Sequence, residues 1–144
     1  MTATPTKKVR LLFIDDDGSI RIFAAVMFNN AIFDIKVAEN TREADDWLKK
    51  ASFDVIVCDV MMPEEDGIHY CNRLKKSGNS IPFLFLSAVG TPQSVQAGIA
   101  SGALAYFIKP FDARELQQRI LALAGTSHIL PPTTPKKTHR WFNR

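Results

Sequence analysis

Four apolar segments of this chain each end in side chains that could bind a metal ion or a phosphoryl group. The segments are LLFI, VIVC, FLFL and YFI, followed in turn by Asp15-Asp16, Asp59, Ser87 and Lys109. Each segment has the length and composition of a buried parallel strand. Because the carboxyl ends of parallel strands lie along one edge of a sheet, we expect these polar side chains to lie close together.

Asp15 and Asp16 are adjacent carboxylates at the predicted end of the first strand. Crowded carboxylates repel each other and raise each other's pKa unless a cation neutralises them, and oxygen ligands without His or Cys favour Mg2+. The alternative is that the run Asp15 to Asp17 caps the next helix and stays solvated. Asp59 favours the metal site, because it would add a third carboxylate from a neighbouring strand.

Asp59, Ser87 and Lys109 together favour phosphoryl transfer. If Asp59 receives a phosphoryl group, its carboxylate is the nucleophile, and Mg2+ and nearby donors must offset charge on the transferring oxygens. The Ser87 hydroxyl could donate a hydrogen bond to such an oxygen, and Lys109 could supply a mobile positive charge. Taken alone, Ser87 is an ordinary turn residue and Lys109 an ordinary solvated lysine. The Lys109-Pro110 bond could adopt cis and turn the lysine toward the sheet edge.

The elements that must position these groups alternate between strand and helix. Apolar runs predict strands at 9–14, 32–38, 54–58, 81–86 and 104–108. Helical spacing and capping residues predict helices at 18–30, from a Thr41 cap to about 51, at 66–76, at 92–101 and from an Asp112 cap to about 124. This alternation predicts an α/β fold whose five-stranded parallel sheet, of order 2-1-3-4-5, carries five helices on its two faces.

Length and charge indicate one globular domain with appended ends. The 144 residues are 46% apolar, enough for one core, and no apolar run is long enough to cross a bilayer or resembles a signal peptide, so we expect a cytoplasmic protein. Residues 1–125 carry 14 basic and all 15 acidic residues, whereas residues 126–144 carry four basic residues and no acid. We therefore predict an N-terminal arm at 1–8, a domain at 9–125, and a basic, Pro-containing tail or linker at 126–144.

The chain resembles the response-regulator receiver domains of two-component signalling, a flavodoxin-like fold typified by the chemotaxis regulators. The resemblance rests on the motifs IDDDGSIR at 14–21, CDVMMPEEDG at 58–67, PFLFLSA at 82–88 and GALAYFIKPF at 102–111. It covers roughly residues 8–125.

The resemblance implies a role for each matching position. It implies that Mg2+ binds Asp15, Asp16, Asp59 and the backbone carbonyl of Met61, that Asp59 is the phosphoacceptor, and that Ser87, Lys109 and Tyr106 form the phosphate-binding and switch set beside a cis Pro110. It also implies that a histidine kinase or phosphotransfer protein supplies the phosphoryl group and that the receiver itself catalyses transfer and hydrolysis. The added charge would draw Ser87 and Lys109 inward and let Tyr106 bury its ring.

We expect phosphorylation to change the face made by helix 4, strand 5 and helix 5, and a downstream protein partner to bind that face. Leu104 and Ala105 replace the acidic pair often found there in members that dimerise through this face, and the fourth helix lacks charges. We therefore expect a monomer or weak dimer. The basic tail contains Trp141 and Phe142, but a solvated tail is expected, with no nucleic-acid partner.

Two other functions remain open from sequence alone. Asp15 to Ser19 resembles the DxDG[ST] motif of haloacid-dehalogenase-type phosphatases, which would make Asp15 the nucleophile and Asp17 the acid, but that interpretation leaves Asp59 unexplained. The other is a pseudo-receiver, a binding module that keeps the fold without phosphoryl turnover. The chain is either a single-domain regulator or the receiver part of a longer protein.

Overall fold

Strands and helices alternate five times in the computed structural model, which describes residues 7–125 and 141–143. The strands are β1 (Val9–Ile14), β2 (Phe33–Ala38), β3 (Val55–Cys58), β4 (Phe83–Ser87) and β5 (Ala105–Ile108). The helices are α1 (Gly18–Met27), α2 (Thr41–Lys50), α3 (Gly67–Lys76), α4 (Pro92–Ala100) and α5 (Ala113–Leu123). The predicted α/β fold with five alternating units is confirmed.

The first five strands are parallel and lie in the order β2-β1-β3-β4-β5, as predicted. Ile14, the last residue of β1, pairs with Ala38 of β2 and with Cys58 of β3, so the residues that follow β1 and β3 leave the sheet side by side. The sheet thereby brings the two acidic segments of the sequence together at one edge.

A sixth strand, β6 (Trp141–Asn143), was not predicted. It pairs antiparallel with β5, with Phe142 opposite Tyr106, at the outer edge of the sheet. The prediction of five strands is therefore correct for the parallel sheet and incomplete for the described chain. The predictions for residues 1–6 and 126–140, which include most of the arm and of the tail, lie outside the described residues.

The sheet separates two apolar cores. Alternate residues of β1 point to opposite faces, with Leu12 and Ile14 in one core and Leu11 and Phe13 in the other. The first core is covered by α2, α3 and α4, and the second by α1 and α5. Because both faces are covered, the strands read as continuous apolar runs rather than as alternating ones.

In the sequence, Ile22, Ala25, Val26 and Asn29 stand at helical spacing and predict the buried side of the first helix, but the helix buries a different side. Ala24 and Phe28 pack into the second core, whereas Ile22 and Val26 of the predicted pattern are 69% and 75% exposed. The segment from 20 to 28 is apolar almost all round, so spacing alone does not distinguish its buried side. As a result, α1 presents an apolar surface to solvent.

Polar residues cap the N-termini of all five helices that the structure describes. The caps of α1, α3, α4 and α5 are Asp17, Asp66, Thr91 and Asp112. The predicted Thr41 cap is wrong by one residue, because Asn40 caps α2 and Thr41 begins the helix. In the described segments, no helix has the length and apolar character needed to cross a membrane.

Candidate functional site

The carboxyl ends of β1 and β3 bring Asp15 and Asp59 into neighbouring positions. The Asp15 backbone N–H donates to the carbonyl of Ala38 at 3.0 Å, and the Asp59 N–H donates to the carbonyl of Ile14 at 2.9 Å. These bonds extend the sheet ladder by one residue on each strand. The two carboxylates are therefore fixed by backbone pairing rather than by flexible loops.

Three carboxylates meet at this edge. Oxygen atoms of Asp15, Asp16 and Asp59 lie within 4.8 Å of one another. Asp15 is 1% exposed and Asp59 is 8% exposed, whereas Asp16 is exposed to solvent. Asp17 does not belong to the cluster, because its side chain caps α1 by accepting a hydrogen bond from the Ser19 N–H at 2.9 Å.

Lys109 bridges the two buried carboxylates. Its Nζ lies 2.8 Å from Oδ2 of Asp15 and 3.3 Å from Oδ2 of Asp59. Burial opposes the charge of Lys109, but the hydrogen bond to Asp15 and the charges of both carboxylates outweigh it, so the pKa of the lysine is raised. The lysine remains charged, and its cation partly compensates the cluster.

Asp59 is the carboxylate whose environment opposes its charge. Burial is the largest cause of its raised pKa, and the charge of Asp15 raises it further, against the opposing effects of Lys109 and Ser87. A buried carboxylate with incomplete compensation would be stabilised by an added cation. The donor set consists of carboxylate oxygens, which suits a hard divalent ion such as Mg2+.

Ser87 and Tyr106 lie on the neighbouring strands β4 and β5. Ser87 is fully buried as the last residue of β4, and its Oγ accepts a hydrogen bond from the Val89 N–H at 3.1 Å. Tyr106 is also fully buried, and its hydroxyl donates to the carbonyl of Val89 and lies 3.0 Å from Oγ of Ser94. One loop residue, Val89, is therefore bonded to both side chains.

Gly98 allows α4 to pack closely on Tyr106. A Cβ atom at position 98 would lie 3.0 Å from Cδ2 of Tyr106 and 3.0 Å from Cδ2 of Phe85. The tyrosine ring occupies its buried position in this structure. Its role as a moving aromatic stays a prediction.

The loop that follows Asp59 folds back on the cluster. The Met61 N–H donates to Oδ1 of Asp59 at 3.3 Å, and the Gly67 N–H donates to the carbonyl of Val60 at 2.8 Å. A Cβ atom on Gly67 would lie 2.1 Å from the backbone oxygen of Asp59, so only glycine fits this approach. The peptide bond between Lys109 and Pro110, on the other side of the cluster, is cis.

Comparison with family models matches residues 11–121 to the response regulator receiver domain. The chain belongs to this family. Members of the family carry an acidic pocket for Mg2+ and an aspartate that is phosphorylated, features that the resemblance of the motifs predicted. The buried acid cluster lies inside the matched range of the receiver domain.

Curated relatives support the same assignment. The receiver is 37% identical over 117 residues to the response regulator MprA of Mycolicibacterium vanbaalenii, a match that covers 80% of this chain and 50% of the relative. It is 31% identical over 149 residues to a probable transcriptional regulatory protein of Picosynechococcus, covering 99% of this chain and 59% of the relative. The chain thus spans about half or somewhat more of the length of these relatives.

Solved receiver structures match most of the chain. The receiver domain of the Francisella response regulator 1452 superimposes with a TM-score of 0.77 at 34% identity, covering 81% of this chain and 97% of that one. The chemotaxis protein CheY4 of Vibrio cholerae gives a TM-score of 0.75 at 29% identity, covering 81% and 99%. The predicted receiver fold is confirmed.

Several receiver residues near the site were missed in the sequence. Arg21 on α1 donates from Nη1 to the backbone carbonyl of Asp15 at 2.8 Å, and so supports the loop that carries the first two acids. Glu65 and Arg73 form an ion pair beside the loop after Asp59. The motif at 14–21 contains Arg21 and could have indicated it, but no local spacing relates Glu65 to Arg73.

The structure does not favour the phosphatase alternative. The carboxylate of Asp17, the acid in that interpretation, is used as a helix cap. Asp59, which the phosphatase motif leaves without a role, lies beside Asp15.

Proposed function

We propose that this receiver accepts a phosphoryl group on Asp59, in a Mg2+-dependent reaction, from a histidine kinase or a phosphotransfer protein. The observation that supports this most directly is the juxtaposition of Asp59 with two further carboxylates and with Nζ of Lys109. Burial and the charge of Asp15 raise the pKa of Asp59, and perturbed acids of this kind are concentrated at functional sites.

In the proposed transfer, a carboxylate oxygen of Asp59 attacks the phosphorus atom of a phosphohistidine. The new O–P bond forms as the P–N bond breaks, and the electron pair leaves with the imidazole nitrogen of the donor. Lys109 lies close enough to Asp59 to move its hydrogen bond from the carboxylate to a phosphoryl oxygen. Ser87, at the end of β4, would donate its hydroxyl hydrogen to a second phosphoryl oxygen.

Asp15, Asp16, Asp59 and the carbonyl of Met61 would hold the Mg2+ ion. The ion, when bound, supplies positive charge that offsets the charge on the phosphoryl oxygens. These ligands fit the ion, because they offer only oxygen atoms, and because Lys109 leaves the acids incompletely neutralised. The proposed site thus combines one cation that belongs to the protein, Lys109, with a second cation, Mg2+, that binds from solution.

The output would arise on the face made by α4, β5 and α5. Lys109 directly follows β5, and Tyr106 of the same strand is bonded to the β4–α4 loop through Val89, so a change at Asp59 is transmitted along one short strand. A downstream protein partner would bind this face. Since β6 pairs with the edge of β5, such a partner contacts the helices or displaces that strand.

The phosphodonor would dock on the apolar surface of α1. Ile22, Phe23 and Val26 are exposed there, and a cavity of about 410 Å3 between Phe23 and Phe111 reaches Lys109. An apolar contact surface that adjoins the acceptor can hold a donor protein while its phosphohistidine reaches Asp59.

Intact mass spectrometry after incubation with acetyl phosphate and Mg2+ tests the proposed function. We expect a phosphoryl adduct that EDTA prevents and that Asp59→Asn abolishes, while circular dichroism shows the variant to be folded. A folded wild-type protein that acquires no adduct under any Mg2+ concentration would instead support the pseudo-receiver. An adduct that persists in Asp59→Asn would overturn the assignment of Asp59.

A further inference from the structure

Glu65 lies near the end of the loop between Asp59 and α3, and its carboxylate has several hydrogen-bond partners. Oε2 of Glu65 accepts a hydrogen bond from Nε of Arg73 at 2.9 Å, and Oε1 accepts one from Nη2 of the same arginine at 2.9 Å. Nδ1 of His69 lies 2.6 Å from Oε2, and the Thr41 side chain adds a further hydrogen bond. The two parallel bonds from one guanidinium fix both the distance and the orientation of the carboxylate.

Arg73 extends this contact to the neighbouring helix. Its Nη2 also donates to Oδ2 of Asp45 on α2 at 2.9 Å, and its guanidinium lies 4.8 Å from the ring centre of Tyr70. The Tyr70 hydroxyl donates to Oδ1 of the same Asp45 at 2.9 Å. We name Glu65, Arg73 and Asp45 the loop clamp, because together they tie the loop to α2 and α3.

The loop clamp acts on a short segment that is already fixed at its other end. Asp59 belongs to the sheet ladder, and the Met61 N–H is bonded to the Asp59 carboxylate. The Arg73 hydrogen bonds lower the pKa of Glu65 to about 2. The Glu65 carboxylate therefore stays ionised near neutral pH and keeps its ion pair with Arg73. Met61 lies between these two fixed points.

A second ion pair in the same loop provides an internal contrast. The Glu64 carboxylate lies 3.2 Å from Nη2 of Arg42, but these side chains are 76% and 72% exposed. In the Glu65 pair the carboxylate is only 16% exposed. Exposed pairs of the first kind contribute little, whereas partly buried bidentate pairs restrict geometry.

We propose that Glu65, through the loop clamp, is a positioning residue for the metal site. By restricting the loop that contains Met61, it sets the affinity of the acid cluster for Mg2+ without touching the ion. This inference rests on the proposed function, since Met61 matters only if the cluster binds Mg2+. Groups that orient ligands from outside the coordination shell commonly alter metal affinity about tenfold or more.

Calorimetric titration of the full chain with Mg2+ alone tests this proposal. Glu65→Gln keeps the size of the side chain and removes its charge, so we expect the dissociation constant for Mg2+ to rise about tenfold or more. Arg73→Lys keeps a positive charge without the planar fork and should give a smaller rise. Arg42→Gln removes the exposed pair of the same loop and should leave the dissociation constant unchanged, which makes it the matched control.

The possible outcomes distinguish failure of the proposed role of Glu65 from failure of the proposed metal site. If Glu65→Gln lowers the melting temperature but binds Mg2+ as the wild type does, Glu65 is structural only and the proposal is overturned. An effect of Arg42→Gln equal to that of Glu65→Gln would also overturn it, because loop charge rather than geometry would then be responsible. If Glu65→Gln does not fold, an unchanged Mg2+ affinity in folded Arg73→Lys overturns the proposal and a weakened one supports it. A folded wild-type chain that binds no Mg2+ would overturn the proposed metal site itself.

Discussion

The acid cluster and the loop clamp both pair carboxylates with one cation, yet their electrostatics are opposite. The pKa of Asp59 is raised, whereas the pKa of Glu65 is lowered to about 2. The two residues lie in one short loop, and the difference follows from burial and from the cation. Lys109 offers a point charge to two buried acids, whereas Arg73 offers a planar fork to acids that keep contact with water.

This comparison shows how one loop combines reactivity with rigidity. The cluster leaves negative charge under-compensated at the sheet edge, where a bound cation would lower the energy. The loop clamp hydrogen-bonds both of its carboxylates to one planar guanidinium, and so contributes order without reactivity. A raised pKa therefore marks the candidate functional acid Asp59, and a lowered pKa marks the supporting acid Glu65.

The largest expected effect comes from removing the cation of the cluster. Lys109→Met leaves Asp15 and Asp59 without their shared partner, so in EDTA the free energy of unfolding should fall by about 2–3 kcal/mol. Urea titration measures this loss, and Lys49→Met, at an exposed position on α2, serves as the control. A loss no larger than that of the control would contradict the under-compensated cluster.

Removing a carboxylate from the cluster should have the opposite sign. Asp59→Asn relieves repulsion by Asp15, so without Mg2+ the free energy of unfolding should rise by about 1–2 kcal/mol near neutral pH. Because the folded pKa of Asp59 is raised, this gain is present above that pKa and disappears as the acid becomes protonated at lower pH. Urea titrations at several pH values measure the trend, and a loss of stability at neutral pH would contradict it.

Glu65 should show the reverse dependence on pH. Its pKa is about 2 when folded, below the ordinary value of 4.5, so its contribution is complete above about pH 4.5 and is lost as the pH falls toward 2. The stability difference between wild type and Glu65→Gln should therefore be largest at neutral pH and shrink on acidification. A difference that stays constant down to pH 3 would show that the Glu65 charge does not contribute.

The smallest expected effect concerns Glu64, whose backbone is in the left-handed region at φ 72°. Glycine adopts this conformation without the penalty of a Cβ atom, so Glu64→Gly should stabilise the fold by about 0.5–1 kcal/mol. Glu64→Ala also removes the exposed pair with Arg42 but keeps the strain, and it should give no gain. Thermal unfolding of the two variants compares them directly, and equal melting temperatures would contradict the strain.

Much of the fold and of the candidate site could be predicted from local sequence. The acids, the hydroxyl and the lysine each end an apolar run, and the β-α alternation is sufficient to bring such ends together. The order of the five parallel strands was predicted for the same reason. All the site residues except Met61 and Tyr106 can be predicted from their positions at the ends of strands.

The features that the sequence did not predict depend on contacts between distant residues, or on segments with a weak hydrophobic pattern. The pairing of β6 with β5 joins segments that are more than 30 residues apart in the sequence. In addition, β6 comes after a proline-containing segment, which does not predict a strand. The loop clamp joins Arg73 to Asp45 on another helix, which no helical spacing encodes. The exposed side of α1 was missed because that helix carries few polar residues to mark it.

Borohydride reduction after phosphorylation by acetyl phosphate, followed by peptide mapping, tests the central claim most directly. Reduction converts an aspartyl phosphate to homoserine and so records which carboxylate held the phosphoryl group. We expect homoserine at position 59, only in samples that contained Mg2+. Homoserine at position 15, or none in a sample that had acquired the adduct, would contradict the assignment of Asp59.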